Sequence, residues 1–222
     1  MDVNQLYILA QDILNKNQNG YLPPDTFNLL INQGQISFLD YLLGEFQQYQ
    51  YQKAQPRVQF SQNQTVRQRL SPLIYGYLLH VDGTGFSPYP GDYQQDDAMW
   101  TYYGFQKIKY VEQNQLRSYY NSRIDPYQTN PFYLIEDIGF RFYPQSIGFA
   151  QLNYVRTPPQ IVWGYTLDGN GRPVYNPATS VQPIWYETDL LEILARLLRM
   201  VGVSLQINEV SQYAEEIKNK GQ

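Results

Sequence analysis

The spacing of apolar positions along the chain changes period twice. Val3, Leu6, Ala10, Ile13 and Leu14 recur at helical spacing until Asn17, Asn19 and Gly20 interrupt them, which predicts an amphipathic first helix. Pro23 and Pro24 suit the first turn of a second helix, where the amide that proline lacks would be unpaired in any case. Phe27, Leu30, Ile31, Phe38 and Leu42 then mark one face of that helix as far as about Gly44. The following FQQYQYQKAQPRVQF has no clear period and reads as a polar helix end and surface connection. Its Phe46, Tyr49, Tyr51 and Phe60 are candidates for contacts between copies of the chain. Ser61 is placed to cap a short helix through Leu70 that Pro72 ends.

From Leu73 to Arg156 the period is two, and turn residues multiply in DGTG (82–85) and SPYPGDY (87–93). Phe105, Lys107, Lys109 and Val111 alternate with Gln106, Ile108 and Tyr110, a strand expected to turn near Glu112 to Asn114. Ile138, Phe140 and Phe142 lie on one face of a later strand, with Arg141 and Tyr143 on the other. After PQSIG, Ala150, Leu152 and Tyr154 form the apolar face of a last strand, which Thr157-Pro158-Pro159 stops because proline cannot donate to a ladder. A hairpin is expected in IVWGYTLDGNGRPVYNP, around DGNG.

The helical period then returns. Leu190, Leu191, Leu194, Leu197, Leu198 and Val201 predict a helix that starts near Pro183 and stops at Gly202. Asn208 can cap a last helix carrying Val210, Tyr213, Ala214 and Ile217 and ended by Gly221. Tyr213, Ile217 and Gln222 join the candidate contacts between copies. The fold class is therefore α+β: N- and C-terminal helices form a bundle, with a large antiparallel β insertion. The expected divisions are 1–72, 73–179 and 180–222.

Composition shifts the emphasis from chemistry to contact. The 222 residues are 16% aromatic, with 22 tyrosines, and only 16% charged, so neutral amides and phenols dominate the polar positions. Such groups suit extensive, wet protein contacts. The formal net charge is −4, which supplies no basic footprint for phosphate. With no cysteine there are no disulfides, thiolates or cysteine metal ligands. The N-terminus lacks the basic start and apolar run of a signal peptide, and no apolar stretch reaches the ~20 residues of a membrane span. Synthesis in a cytoplasm, without membrane association, is expected.

Catalytic signals are sparse. His80, the sole histidine, sits in YLLHVDG without a nucleophile elbow and reads as structural. Asp96 and Asp97 read as solvated acids in a loop, and Glu136 and Asp137 as neighbours on opposite faces of a strand, so neither pair is arranged for acid–base work. DGNG matches part of a calcium loop, but Pro173 and the missing distal glutamate break the pattern. Neither nucleotide-binding glycine pattern is present. No catalytic residue, cofactor or metal ligand is predicted.

Three stretches carry a family resemblance. NPFYLIEDIGFRFYPQSIGFAQLNYVRTPP resembles the segment of head-to-tail adaptor proteins of tailed bacteriophages in which an aromatic strand meets a tyrosine-proline turn, returns, and closes with tyrosine, arginine and proline. IWYETDLLEILARLLRMVGVSLQINEVSQYAEEIKNKGQ resembles their C-terminal helical pair. NQNGYLPPDTFNLLINQGQISFLDYLLGEF is similar to ring or connector proteins of crAss-like phages. The resemblance implies a virion structural protein at the head–tail junction, made in the host bacterial cytoplasm and without catalytic residues. Its copies would form a ring on the portal, a dodecamer by the resemblance. The ring would extend the channel through which DNA passes without specific binding and would dock other tail ring or hub proteins.

Two other classes remain open at this point. One is a carbohydrate-binding module or glycoside hydrolase, in which aromatic platforms and amides meet sugars and two carboxylates flank a cleft. The other is a regulator reading DNA through its N-terminal helices, disfavoured because Lys16 is the only Lys or Arg in the first 44 residues.

Overall fold

The structure, a computed structural model, describes residues 1–16, 20–51, 64–103, 106–117 and 130–204. It is an α+β protein whose contacts divide it into a helical unit, Met1–Pro72 with Pro158–Gln222, and a β unit, Leu73–Thr157. The expected β region ran to 179; residues 158–179 belong instead to the helical unit. Among the described residues, no helix is long and apolar enough to cross a membrane.

In the helical unit, α1 (Val3–Lys16) is started by a reciprocal cap: the Gln5 amide N–H donates to Asp2 Oδ1 at 2.7 Å, and the Asp2 N–H donates to Gln5 Oε1 at 2.9 Å. Its apolar stripe, Val3, Leu6, Ala10, Ile13 and Leu14, is buried as the spacing requires. α2 (Pro24–Tyr51) begins at a proline and buries Phe27, Ile31, Phe38 and Leu42. It is longer than its apolar pattern: the helix continues past Gly44 through the Gln/Tyr segment to Tyr51. Gln and Tyr tolerate the helix well enough to continue it without an apolar stripe. A short helix, α3, follows at 64–70; Ser61, expected to cap it, lies outside the described residues.

The C-terminal helix differs at both ends from the expectation. α4 (Glu187–Ser204) starts four residues after Pro183, and it runs through Gly202, which is buried and does not terminate it. Burial compensates the helix interior for glycine's poor propensity, roughly 1 kcal/mol. α4 packs on α2, where Gly34 permits the backbones to approach: a Cβ there would meet Ile193 O at 3.0 Å. The last predicted helix, from Asn208, lies outside the described residues.

The β unit contains β1 (Ile74–His80), β2 (Phe86–Pro88), β3 (Tyr93–Thr101), β4 (Lys109–Tyr110), β5 (Phe132–Ile135), β6 (Gly139–Tyr143) and β7 (Phe149–Arg156). They form a three-stranded sheet in the order β1-β7-β3 and a four-stranded sheet in the order β2-β6-β5-β4. Every pairing is antiparallel except β4 with β5, which is parallel. Leu79, Met99, Leu152 and Tyr154 of the first sheet share one core with Tyr133, Phe140 and Phe142 of the second. Phe132 and Leu134 pack with Val111 as a separate cluster. The aromatic strands thus bury both faces.

Several local expectations are corrected here. The strand predicted over 105–111 is reduced to Lys109–Tyr110, with Lys107 bridging Trp100 and Phe105 outside the described residues. Glu112 to Asn114 leads into a 3-10 turn at Gln113–Gln115. Ile138 precedes β6 and is exposed, unlike Phe140 and Phe142. Asp96 and Asp97 stand within β3 and not in a loop. Glu136 and Asp137 lie in the connection between β5 and β6. The DGNG hairpin forms as predicted, with β8 (Tyr165–Leu167) and β9 (Pro173–Tyr175) as its short arms.

Candidate functional site

Within the helical unit, one side of α2 works as a surrogate strand. Asn28 Nδ2 donates to the Trp163 carbonyl (3.2 Å) and its Oδ1 accepts from the Trp163 N–H (2.7 Å). Asn32 repeats the pattern on Ile161 at 2.8 and 2.9 Å, and Gln35 Nε2 donates to the Pro159 carbonyl at 3.1 Å. Four residues of helix rise ~6.0 Å, close to the ~6.6 Å of two extended residues, so amides at helical spacing meet alternate residues of an extended segment. This ladder fixes Trp163 at the wall of a cleft.

The cleft, of about 590 Å³, is lined by Asn4, Tyr7, Ile8, Gln11 and Tyr21 on one side and by Trp163, Arg172, Pro173 and Tyr175 on the other. Trp163 stacks on Tyr7 at 4.2 Å between ring centroids and donates through Nε1 to Asn4 Oδ1 at 3.1 Å. The Tyr7 hydroxyl donates to the Leu22 carbonyl, and burial first, then its contact with Tyr21, pushes its pKa well up. Both large rings are buried, so the open part of the cleft is offered by Tyr21 and Ile8, 60% and 49% exposed, together with exposed Arg172. Among the described residues no carboxylate lines it.

Nearby in the same unit, Arg69 ties α3 to α4: Nε donates to Asp189 Oδ1 at 2.7 Å and Nη2 to Glu192 Oε2 at 2.6 Å. Arg196 Nη1 donates to Glu192 Oε1 at 2.7 Å, and both guanidiniums lie 5.0 Å from the centre of the Phe38 ring. Burial raises the Glu192 carboxyl, but the hydrogen bonds from Arg196 and Arg69 outweigh it and the group titrates below its ordinary value. For Asp189 burial dominates and Arg69 only partly offsets it, so that carboxyl is raised; among the described residues its Oδ2 has no hydrogen-bond partner. The cluster is a clamp, with its carboxylates occupied by cations.

In the β unit, the carboxylates are held by phenols. Asp96 accepts from the Tyr93 hydroxyl at 3.0 Å and from the Tyr133 hydroxyl at 2.5 Å, and Asp92 accepts from the Tyr154 hydroxyl at 2.6 Å. Burial, followed by the charge of Asp96, pushes both Tyr93 and Tyr133 far up. Glu136 is bound by Arg141 at 2.5 and 3.0 Å. His80 is exposed, and its ring meets only the edge of Phe149, at 5.2 Å. The Asp168 carboxylate accepts from the Asn170 and Arg172 amides within its turn. Among the described residues no group of His, Cys, Asp or Glu is placed to hold a metal.

An exposed uncharged surface lies along β1. Among the described residues this strand pairs only with β7, over seven residue pairs without a register shift. Its Tyr75, Tyr77 and Leu78 are 51%, 44% and 43% exposed. The paired positions behind Leu78 on the outward face are Gln151 and Trp100, and those behind Gly76 are Asn153 and Ala98. The amides of Gln151 and Asn153 make no hydrogen bond among the described residues. None of these positions is charged.

Of the contact residues expected from sequence, Phe46, Tyr49 and Tyr51 lie on the last turns of α2, and their side chains fall outside what the structure describes. Phe60, Tyr213, Ile217 and Gln222 lie outside the described residues. The β1 surface was missed, although its signal was present: LIYGYLLHV is nine residues without Lys, Arg, Asp, Glu or Pro. No protein-family model matches the chain, and no curated protein matches it significantly.

Proposed function

We propose that the chain is a structural subunit of a virion, a head-to-tail adaptor whose copies close into a ring on the portal, extend the DNA channel and dock tail ring or hub proteins. The observation that carries this reading is a pair of separate exposed surfaces on different units: the β1 edge with its uncharged aromatic and amide face, and the largely neutral cleft opened by Tyr21, Ile8 and Arg172. In a closed ring each interface is heterologous, so every subunit needs two different patches. Neutral aromatic and amide groups desolvate at lower cost than charges and fit that use. A net charge of −4 suits a channel past which DNA slides, because few cations are available to release counterions from phosphate.

The carbohydrate reading fits the cleft less well. A glycosidase needs two carboxylates across it, and among the described residues its lining has none. The two large rings that would make a sugar platform are stacked on each other and buried.

A reconstruction of the particle that contains this chain tests the proposal. The expected result is a ring at the head–tail junction with the same copy number as the portal and a lumen poor in Lys and Arg. A different copy number, or a lumen lined by cations, would overturn it.

A further inference from the structure

Resting on that ring reading, we infer that the cleft of one copy receives the β5–β6 turn of a second copy, Ile135-Glu136-Asp137-Ile138, with Ile138 on the apolar lining and Asp137 on Arg172. The main chain of this turn is fixed before it meets anything. The Glu136 N–H donates to the Gly139 carbonyl at 2.9 Å, the Tyr89 N–H to the Ile138 carbonyl at 3.2 Å, and the Tyr89 hydroxyl to the Glu136 carbonyl at 2.6 Å. Arg141 occupies the Glu136 carboxylate. What remains outward is aliphatic and acidic. Ile135 and Ile138 are 45% and 67% exposed, and Ile138 is the most exposed large aliphatic side chain among the described residues. Asp137 is exposed and, among those residues, has no ion-pair partner. Single exposed aliphatics are ordinary on a protein surface, but here two flank an unpaired acid on a rigid turn.

The cleft offers the complement. Ile8, Tyr21, Pro173 and Tyr175 supply apolar contact, and its volume of about 590 Å³ has room for the side chains of a turn. Among the described residues the one charged side chain on its lining is Arg172, which is exposed and has no ion-pair partner. Arg172 too is carried on an ordered main chain: its N–H donates to Asp168 Oδ1 at 2.8 Å, and its carbonyl accepts from the Asp168 N–H at 2.9 Å. An occupant that pairs an aliphatic side chain with a carboxylate satisfies the apolar lining and the cation together. Other exposed acids are already engaged, Asp25 by the Tyr165 hydroxyl, Asp82 by the Thr84 and Phe86 amides and Asp168 within its own turn. Because both surfaces are ordered before they meet, little conformational entropy opposes the contact. The turn belongs to the β unit and the cleft to the helical unit, and the two surfaces differ, so the contact is heterologous and propagates around a ring.

The chain has no native cysteine, so single cysteines report cleanly. Full-length Ile135→Cys and Asn170→Cys chains, mixed at high concentration with a short bismaleimide, should give a mixed dimer, and the double variant a ladder of multimers. Asp40→Cys, exposed on α2, sets the collision background when paired with Asn170→Cys. Adding Asp137→Arg to the Ile135→Cys chain replaces attraction by repulsion and should cut the mixed dimer about tenfold. Adding Arg172→Asp to the Asn170→Cys chain should then restore it, a recovery that misfolding of either variant would not produce. Dimers from Ile135→Cys alone, a mixed dimer no more abundant than the Asp40→Cys background, or a loss that the reversed pair does not recover would overturn the docking. A chain present in its particle at the portal's copy number but without this cross-link would keep the ring and sink the turn-in-cleft contact. Cross-linked ladders from a chain that its particle holds in a different number would do the reverse.

Discussion

In the helical unit the polar contacts that tie distant segments are mostly ionic or amide: Arg69 and Arg196 on Asp189 and Glu192, and Asn28, Asn32 and Gln35 on the main chain of 159–163, with Tyr7 on the Leu22 carbonyl as a phenolic exception. In the β unit they are mostly phenolic, with Tyr93 and Tyr133 on Asp96 and Tyr154 on Asp92, beside the Arg141–Glu136 pair. The difference follows from geometry. Helix faces in contact leave room for long side chains to reach across, so guanidiniums and amides span the gap. Facing sheets stack ~10 Å apart, and a phenol reaching inward spends its ring on the core and its hydroxyl on a carboxylate near the rim. The Glu192 ion pairs of the helical unit therefore weaken in acid, whereas the phenols of the β unit lose their hydrogen bonds in alkali.

The largest test asks whether α4 is the core of the helical unit. Leu194, 2% exposed, lies within it. Leu194→Asp should leave an unpaired buried carboxylate costing several kcal/mol, comparable to a domain's whole margin. The variant is expected to lose its cooperative helical transition in thermal circular dichroism. An unchanged melt would make α4 peripheral.

Next comes the ionic half of the comparison. Glu192 has a depressed carboxyl, so its contribution is present above the ordinary carboxyl range near ~4.3 and is lost as pH falls through its lower folded value. Glu192→Gln should cost ~2–3 kcal/mol at neutral pH in denaturant titrations, and the gap from wild type should close in acid. Asp189, raised by burial, acts in the opposite sense: its contribution grows as pH falls, which blunts the acid branch. A gap independent of pH would remove the ion pair as its cause.

A smaller effect reads the phenolic half. Tyr133→Phe deprives Asp96 Oδ2 of its short bond and should cost ~1–2 kcal/mol. Because the folded Tyr133 phenol titrates above its unfolded value near ~10, its stabilisation is present below that value and lost as pH rises beyond it. The variant should therefore decline less steeply in alkali than the wild type. Parallel alkaline curves would show that the hydroxyl carries no linkage.

The smallest change concerns His80. Exposed at the β1 edge, with one ring contact, it should be replaced by Gln at a cost below ~0.5 kcal/mol and without loss of assembly into particles. Loss of assembly by a normally folded His80→Gln chain would assign the imidazole a role that its surroundings do not suggest.

Periodicity alone determined much of the architecture. The apolar stripe of α1, the proline start of α2, the alternation of Ala150, Leu152 and Tyr154, the proline stop after Arg156 and the DGNG hairpin were all legible. Each depends on neighbours within a turn or a strand, which the sequence contains. The end of α4 was not legible, because Gly202 stops a helix only where its surroundings let the chain leave, and here it is buried. Nor was the work of the polar residues. Asn28 meets a main chain 135 residues away, and Asp96 meets Tyr133 from another sheet. An amide or carboxylate has the same local pattern whether water or a distant backbone satisfies it. For the same reason β1 read as one strand among several: its composition was in the sequence, but that it lies at an edge among the described strands is a property of strand order, and strand order is set by tertiary packing.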